Sequence, residues 1–408
     1  MRYGIVDIAN LYHRCLHVAG APDAYTRAGM ALSIIFLALG KLHREHAVDH
    51  LVICTEGGSW RYAVFPQYKA KRRAERLNKT FKEQEEDAVA QEIFEGLLTF
   101  FRERTNCTVL SCDGVEGDDF VARFIQLHPD DHHVLQSSDS DFVQLLAPNV
   151  TLVDGVAERV ITLDKVVDKD GNELTFTINS SNGRIKVGKP INEARAEHEL
   201  AQDLAQAEHE RAEASRASAH LLMEERRAIE NPHHLIRPYE AEPFKREPYA
   251  FVPEPDWHKK ALFVKIVRGD SSDGIFSSYP GVRFKGTKDK TGIEEAWADR
   301  GGHGFDWNNF MLQRWEKLIG ADANGQPIKK MVRVMDEFSF NSGLIDLTQQ
   351  PDEIKELIDS VIVEAVQKTP VGQVGVHFLR FCGENDLPRL AGDAQRHAAY
   401  LKKPYISK

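Results

Sequence analysis

The sequence predicts an open, mostly parallel α/β sheet followed by a mainly helical region. Three observations carry this. From Tyr3 to about Val153, short apolar runs alternate with helical stretches. Four of the five apolar runs end on or just before acidic residues. After Asp164 the alternation stops, and turn-rich, helical and proline-rich stretches follow one another to the end.

YGIVDI, HLVICTE, TVLSCD, HHVLQSSD and VTLVD read as buried strands, because short apolar runs between turn signals are the mark of a sheet covered on both faces. ALSIIFLALGKLHREH, the stretch from about Gln67 to Arg104, and DDFVARFIQLH carry helical spacing. KVVDKDGNELTFTINSSNGRIKVGKP reads as one or two hairpins, with DGN and SSNG as turns. Asn192 to Glu230 is a long Ala/Glu/Arg-rich helix, and a proline-rich connector ends it. DWHKKALFVKIVRGD is a helix, then a Gly-rich turn region and several more helices follow. The expected organisation is a unit over 1–164, an insertion over 165–255 and a helical unit over 256–408. No internal repeat is expected.

The length of 408 residues exceeds one ordinary compact core. No run of eighteen apolar residues is present, so no membrane partner is expected. MRYGIVDIAN lacks the apolar core and cleavage site of a secretory leader. Five scattered cysteines, Cys15, Cys54, Cys107, Cys112 and Cys382, read as small buried hydrophobes, and with them a cytoplasmic location is expected (the host cytoplasm, for a phage-encoded chain). The pairs His132/His133 and His233/His234 lack acidic or cysteine partners at metal spacing, and surface or packing roles are expected of them. The net charge of −10 argues against nucleic acid only until charge is read by location.

Read that way, the acids gather. Asp7 closes the first strand and Glu56 follows the second. Glu116, Asp118 and Asp119 sit in GVEGDDF, Asp139 and Asp141 in QSSDSDF, and Asp270 and Asp273 in VRGDSSDGI. Ligands of open α/β sheets bind at the carboxyl ends of the strands, which is where these junctions lie. One such acid is usually a helix N-cap. A whole series facing one cleft raises its members' pKa values unless cations neutralise it. Hard oxygen ligands suit two Mg²⁺ or Mn²⁺ ions, which, about 4 Å apart, activate water and stabilise a leaving oxygen in phosphodiester hydrolysis. No Ser/His/Asp arrangement competes.

Two basic elements complement the acids. Between Tyr68 and Lys82 stand Lys69, Lys71, Arg72, Arg73, Arg76, Lys79 and Lys82 against the single acid Glu75, flanked by Trp60, Arg61, Phe65 and Tyr68. A run this unbalanced in an acidic chain points to phosphate contact rather than to a merely solvated face. The turn region after Asp270 offers Arg283, Lys285, Lys288 and Lys290, together with glycine amides that could cradle a phosphate.

Taken in order, VDIAN, TEGGSWR, PQYKAKR, GVEGDDFVA, SSDSDFVQL and VRGDSSDGI resemble the structure-specific 5′ nuclease (flap endonuclease) family, most of all its bacteriophage members of the T-even ribonuclease H type. FNSGLIDLTQQPDEI is similar to their Asn-x-x-Leu-Ile-Asp…Pro-x-x-Ile stretch, and the likeness covers roughly 3–164 and 257–390. The resemblance implies a PIN-like (resolvase-like) domain with a helical arch and a C-terminal helical domain bearing a helix–three-turn–helix. It further implies a first metal on Asp7, Glu56, Glu116 and Asp118, with Asp118 shared, and a second on Asp119, Asp139, Asp141 and Asp270, with Asp273 nearby. The family usually has Asp at the position of Glu56. Lys69 and Arg72 match the arch residues that steer the scissile phosphate, with Arg61, Lys71, Arg73 and Arg76 as further DNA contacts. Family members often hold K⁺ at the later turn, but PGVRFKGTK lacks their clean Gly-x-Gly, so K⁺ stays open there.

The expected activity is Mg²⁺-dependent 5′→3′ exonuclease and flap endonuclease action with ribonuclease H activity, on DNA and RNA–DNA hybrids with 5′ ends or flaps. A single-strand ribonuclease of the PIN class and a catalytically silent DNA-binding scaffold are the alternatives. Nothing in the family accounts for the helix at 192–230, whose ten acids and five arginines would repel phosphate. Ala194, Ala201, Ala205, Ala212 and Ala219 form a thin seam at near-heptad spacing. That suits light packing against a replication protein, such as a single-strand-binding protein or clamp, or against a second copy.

Overall fold

The computed structural model describes every residue except Pro22, Pro232, His234, Ile236, 322–324 and 407–408. The expectation for His234 therefore lies outside the described residues. Strand β1 (Arg2–Asp7) ends in the helix pair α1 (Ile8–Val18) and α2 (Ala24–His46), and β2 (His50–Cys54) follows. A short helix α3 (Arg61–Val64), the basic helix α4 (Ala70–Leu77) and the long α5 (Phe81–Arg104) lead to β3 (Thr108–Leu110). Then come α6 (Gly117–Leu127), β4 (His132–Gln136), a 3-10 turn over Ser140–Leu145 and β5 (Val150–Asp154). The five strands are parallel in the order β3-β2-β1-β4-β5.

The sheet does not stop there. β6 (Arg159–Ile161), β7 (Val166–Asp168), β8 (Glu173–Ile178) and β9 (Ile185–Pro190) extend it as an antiparallel meander. The hairpins expected inside an insertion are thus edge strands of the main sheet. Their pairing partner is β5, and no sequence pattern names the partner of an edge strand.

Side chains alternate across the pleat and build two cores. Val6, Ile53 and Val134 face α1, α2 and α5, whereas Tyr3, Ile5, Val52 and Leu135 face α6. Helix α2 is long and apolar enough to cross a membrane by composition alone. Its Leu32, Ile35, Phe36 and Leu39 are instead fully buried in the first core. Cys15, Cys54, Cys107 and Cys382 are buried too, and all five cysteines are free.

After the sheet the chain runs into α7 (Ile191–Glu230), α8 (Trp257–Arg268), α9 (Ile293–Ala298) and α10 (Phe305–Met311). A two-stranded ribbon, β10 (Arg314–Ala321) and β11 (Pro327–Arg333), precedes α11 (Val334–Ile345). Helices α8 to α11 share a separate small core around Phe263, Trp297 and Phe310. The last helices, α12 (Asp352–Val366), α13 (Val374–Glu384), α14 (Pro388–Gly392) and α15 (Ala394–Leu401), return to the sheet. Ile358 and Ile362 close one core, and Phe378, Phe381 and Leu401 the other. By packing, only part of the expected 256–408 unit stands apart.

Helix α7 departs most from expectation. At 1.5 Å per residue its 40 residues span about 60 Å. The proline-rich connector folds back along it rather than hanging free. His198 Nε2 meets the Glu247 carbonyl at 2.8 Å and His209 Nε2 the Glu242 carbonyl at 2.7 Å. The backbone N–H of Arg237 donates to Glu224, and that of Glu242 to Glu213, each at 3.0 Å. Rings pair as His198–Tyr249, His209–Phe244 and His220–Tyr239, all at 5.6–5.7 Å.

Eleven residues of helix therefore match five of strap at every step. The rises explain this: eleven helical residues and five extended ones each cover about 16 Å. The repeat is real but split between two segments of different period, which is why it escapes inspection of either one. Of the seam expected from Ala194, Ala201, Ala205, Ala212 and Ala219, Ala194 is half-buried and the other four are exposed, so the connector does not lie along it. The covered face runs instead through His198, Gln202, His209, Glu213, His220 and Glu224, an eleven-residue period that suits a nearly straight helix.

The arm begins and ends close together. Pro190 pairs with Leu174, and Phe251 packs on Phe176, two residues along the same strand, at 5.5 Å. Replacing 191–249 by a short Gly/Ser linker, with Phe251 and Trp257 kept, is expected to leave a cooperatively melting chain that still cleaves a simple flap. Loss of cooperative melting, or of cleavage in a folded deletion protein, would place the arm in the catalytic body.

Candidate active site

Because β1, β2 and β4 run parallel, their carboxyl ends share one edge, and the loops there bring the acids together. Asp7 terminates β1 and caps α1, accepting the Asn10 N–H at 3.2 Å. Asp139 caps the 3-10 turn by accepting the Asp141 N–H at 2.9 Å. Asp118 and Asp119 occupy the first turn of α6, where the helix dipole favours negative charge. One open cleft of about 180 Å³ is lined by Asp7, Glu56, Glu116, Asp118, Asp139 and Asp141, with Lys69 and Arg72 at its rim. Asn10 and His13 also line it; no pattern in the sequence marks them.

The acids divide by what balances them. Burial pushes the Asp7 carboxyl up to about 7, against the Asn10 N–H, with Asp139 and Glu56 adding repulsion. Burial also drives Asp118 well above the carboxylate range, reinforced by Glu116 and Asp119. Neither has an ion pair among the described residues, and the more distant Arg61 and Lys69 offset the rise of Asp118 only in part. Burial would raise Glu116 as well, but Lys69 and Arg61 outweigh it and hold it low.

Glu116, Asp118 and Asp119 have carboxylate oxygens within 4.8 Å of one another, the spacing of an ion cage among the described residues. Asp119 is nonetheless spoken for. It is fully buried, and both its oxygens accept from Arg61 at 2.9 Å, with the Trp60 indole donating at 3.0 Å. It departs from the expected metal ligand and acts as the counter-ion of Arg61. Arg61 departs from its expectation too. It is 1% exposed, bridges Glu116 at 2.6 Å and Asp119, and donates Nε to the Leu344 carbonyl at 2.9 Å. Buried in this way, it cannot reach DNA.

Asp270 and Asp273 arrive from α8. Gly269, at φ +75°, makes the sharp exit; a Cβ there would lie 2.3 Å from the Ile275 carbonyl oxygen. Asp270 and Asp141 are both held by the buried ammonium of Lys265, at 2.9 Å for Asp270. Burial opposes ionisation of Asp270, but Lys265 and Ser272 hold its carboxyl far down. Asp273 pairs with Arg72 at 3.2 Å and accepts the Tyr68 hydroxyl at 3.3 Å, and burial raises it. Lys265 is the group at the site that sequence reasoning missed, whereas the sequence marks Tyr68 only as a flank of the basic run. Lys265 lies five residues before Asp270 on a mainly apolar helix, and that one position is the only signal.

Lys69 lies at the junction of the two groups. It adopts a left-handed backbone (φ 51°), rare for a residue with a Cβ. Its N–H is pinned by the Asp273 carbonyl at 2.8 Å while its ammonium pairs with Glu116. On α4, Lys71 and Arg76 are exposed, while Arg73 is drawn onto the Tyr62 ring at 4.8 Å and the Pro66 carbonyl.

The later basic turn stands on the α8–α10 core. Arg283, Lys285, Lys288 and Lys290 are all exposed there. The N–H groups of Gly286 and Gly292 are occupied by the Glu295 carboxylate at 2.9–3.0 Å, so those two amides are not open to a phosphate.

Residues 2–171 match the model of the 5′-3′ exonuclease N-terminal, resolvase-like domain. This N-terminal part of the chain is similar to the resolvase-like domain of 5′-3′ exonucleases. The match ends just past β7, so β6 and β7 lie within it together with the parallel strands, and β8 and β9 lie beyond it. Among solved structures, 98% of the chain aligns with all of the bacteriophage T5 5′-exonuclease carrying zinc, at 14% identity and a TM-score of 0.43. Coverage is the same for the T5 D15 protein co-crystallised with metal ions, at 16% identity and 0.42. It is the same again for the T5 D15 flap endonuclease in a pseudo-enzyme–product complex with DNA and metal ions, at 14% and 0.42. Alignments this distant carry no argument about the carboxylate cleft, which rests on its own residues.

Proposed function

We propose that the chain hydrolyses phosphodiester bonds near 5′ ends of DNA and RNA–DNA hybrids, as an exonuclease and flap endonuclease that uses divalent ions held in the carboxylate cleft. The observation that carries this is Asp7, Glu56, Asp118 and Asp139 lining one cleft with no ammonium or guanidinium in ion-pair contact with any of them among the described residues, while the neighbouring Glu116, Asp119, Asp141, Asp270 and Asp273 are each paired. An all-oxygen donor set of this kind fits Mg²⁺ or Mn²⁺. A first ion would take Asp7, Glu56, Glu116 and Asp118. A second would take Asp139 with Asp141 and Asp270, sharing the last two with Lys265.

Bound there, the ions supply an activated water and charge neutralisation at the phosphate. The protein's own part is positioning. Lys69 and Arg72 sit on the rim where a phosphate entering the cleft must pass, and Tyr68 ties the arch segment to Glu116 and Asp273. Exposed Lys71 and Arg76, with the basic turn at 283–290, would hold the flanking nucleic acid. Digestion of 5′-labelled nicked, flap and RNA–DNA substrates is the test. Cleavage in Mg²⁺ that stops in EDTA is expected, and undiminished cleavage in EDTA sinks the proposal.

Lys69→Ala and Arg72→Ala are each expected to slow single-turnover cleavage by about 10²-fold with much smaller effects on affinity, because a preorganised cation acts mainly on charge that develops in the transition state. Wild-type rates in both would remove the rim from the mechanism. The acidic arm meets a protein rather than DNA on this reading. Leu200, Leu204, Leu222 and Ile229 are exposed along the face opposite the strap, as a docking face for a replication protein would be.

A further inference from the structure

We propose that the ribbon β10–β11 is a duplex-binding arm, a nucleic-acid contact separate from both the cleft and the basic turn at 283–290. This rests on the reading that the chain acts on nucleic acid.

Charge is the first ground. Residues 314–333 carry Arg314, Lys317, Lys329, Lys330 and Arg333 against Glu316 and Asp322, in a chain whose net charge is −10. The register sets like charges directly opposite one another, Arg314 facing Arg333 and Lys317 facing Lys330. Such pairs destabilise a ribbon unless something outside neutralises them. Internal acids answer only half of them. Arg333 pairs with Asp336 at 2.8 Å and Lys317 with Glu337, but Arg314 and Lys330 have no ion pair among the described residues.

Placement is the second ground. The Trp315 indole donates to the Ser278 carbonyl at 2.9 Å and packs in the core that also holds Tyr279, Val282 and Phe284 of the basic turn. Ribbon and turn thus spring from one small body. On its other side Lys317 lies 5.9 Å over the Phe340 ring, and Phe340 meets Phe65 at 5.8 Å, close to Tyr68 and Lys69. The ribbon therefore stands in contact with both the turn and the approach to the cleft.

Shape is the third ground. Eight residues of strand reach about 25 Å, which matches roughly seven base pairs of duplex. Leu318 and Met331 are 63% and 55% exposed beside the lysines, with Ile319 and Ile328 exposed further along. Cations spaced along a line with apolar side chains among them suit a sugar–phosphate groove, where apolar groups meet the base edges. An acidic protein would need no such 25 Å line, though a second copy of the chain, whose arm is acidic, is an alternative that the test separates.

The experiment measures binding of the full chain in EDTA to flap duplexes with paired arms of roughly 8 or 20 base pairs, over a range of KCl. Lys329→Glu/Lys330→Glu and Leu318→Ser/Ile328→Ser are compared with wild type, each checked by thermal melting and sedimentation. All four side chains are exposed, so both proteins are expected to fold. The charge reversal is expected to weaken binding to the long arm by about tenfold or more and to lower the salt slope by about 2. The advantage of the long arm over the short one should shrink. The apolar variant should weaken long-arm binding and leave the slope alone. Unchanged long-arm affinity in both variants overturns the ribbon assignment while wild-type binding and cleavage keep the nuclease reading. Wild-type self-association that the variants abolish, with DNA affinity intact, also overturns it and assigns the ribbon to a second copy. A wild type that neither binds nor cuts DNA overturns both.

Discussion

Asp118→Asn and Asp139→Asn are each expected to lower turnover by about 10³-fold or more, equivalent to about 4 kcal/mol of lost transition-state stabilisation. Both acids line the cleft, and neither has a cationic partner among the described residues. An acid kept in that state beside Glu116, Asp119 or Asp141 is costly to the metal-free fold, so its removal should relieve repulsion. Asp118→Asn is therefore expected to leave stability in EDTA unchanged or slightly raised while activity falls. That combination distinguishes a functional acid from a structural one, whose loss lowers both. Single-turnover cleavage in Mg²⁺ and urea unfolding in EDTA measure the two effects on the same protein. An Asp118→Asn protein within tenfold of the wild-type rate would falsify the assignment of the cleft.

Arg61→Ala is expected to behave in the opposite sense, costing about 3–5 kcal/mol of stability. Its guanidinium serves Asp119 through two bonds, Glu116 through one and the Leu344 carbonyl through Nε. Truncation leaves Asp119, fully buried, without its counter-charge and Glu116, 4% exposed, with Lys69 alone. Arg61→Lys should recover only part of the loss, since one ammonium cannot reproduce a forked set of contacts. Removing the stranded charge as well should recover more, so Arg61→Ala/Asp119→Leu is expected to be more stable than Arg61→Ala alone. Denaturant midpoints and slopes for the four proteins provide the check. A loss below about 1 kcal/mol for Arg61→Ala would mean that the buried pair contributes little to holding α3 against α6.

These two experiments treat residues that look alike in the sequence. Asp118 and Asp119 are neighbours in GVEGDDF and read as equivalent ligands. Their side chains leave successive positions of α6 about 100° apart, so one lines the cleft while the other turns toward Arg61. Arg61 likewise reads as one more member of a basic run. Its burial depends on α11, more than 280 residues later, supplying the Leu344 carbonyl. Lys265 follows the same rule: a lysine on an apolar helix becomes the counter-ion of Asp141 only when α8 docks against the 3-10 turn.

Local patterns alone determined the parallel strands, the acidic strand ends, the basic helix and the turn at 283–290. Each is legible because it depends on backbone period and on chemistry within a few residues, which any chain carries wherever it folds. Tertiary structure alone decided which acids face the cleft and which are neutralised by Arg61, Lys69, Arg72 and Lys265. It also decided that the meander joins β5, that α12–α15 close both cores of the exonuclease domain, and that a strap with one residue period lies in register on a helix with another. All of these are pairings between segments far apart in the chain. The charge, hydrogen bond or packing energy of each belongs to the pair and has no value until the fold brings its two halves together.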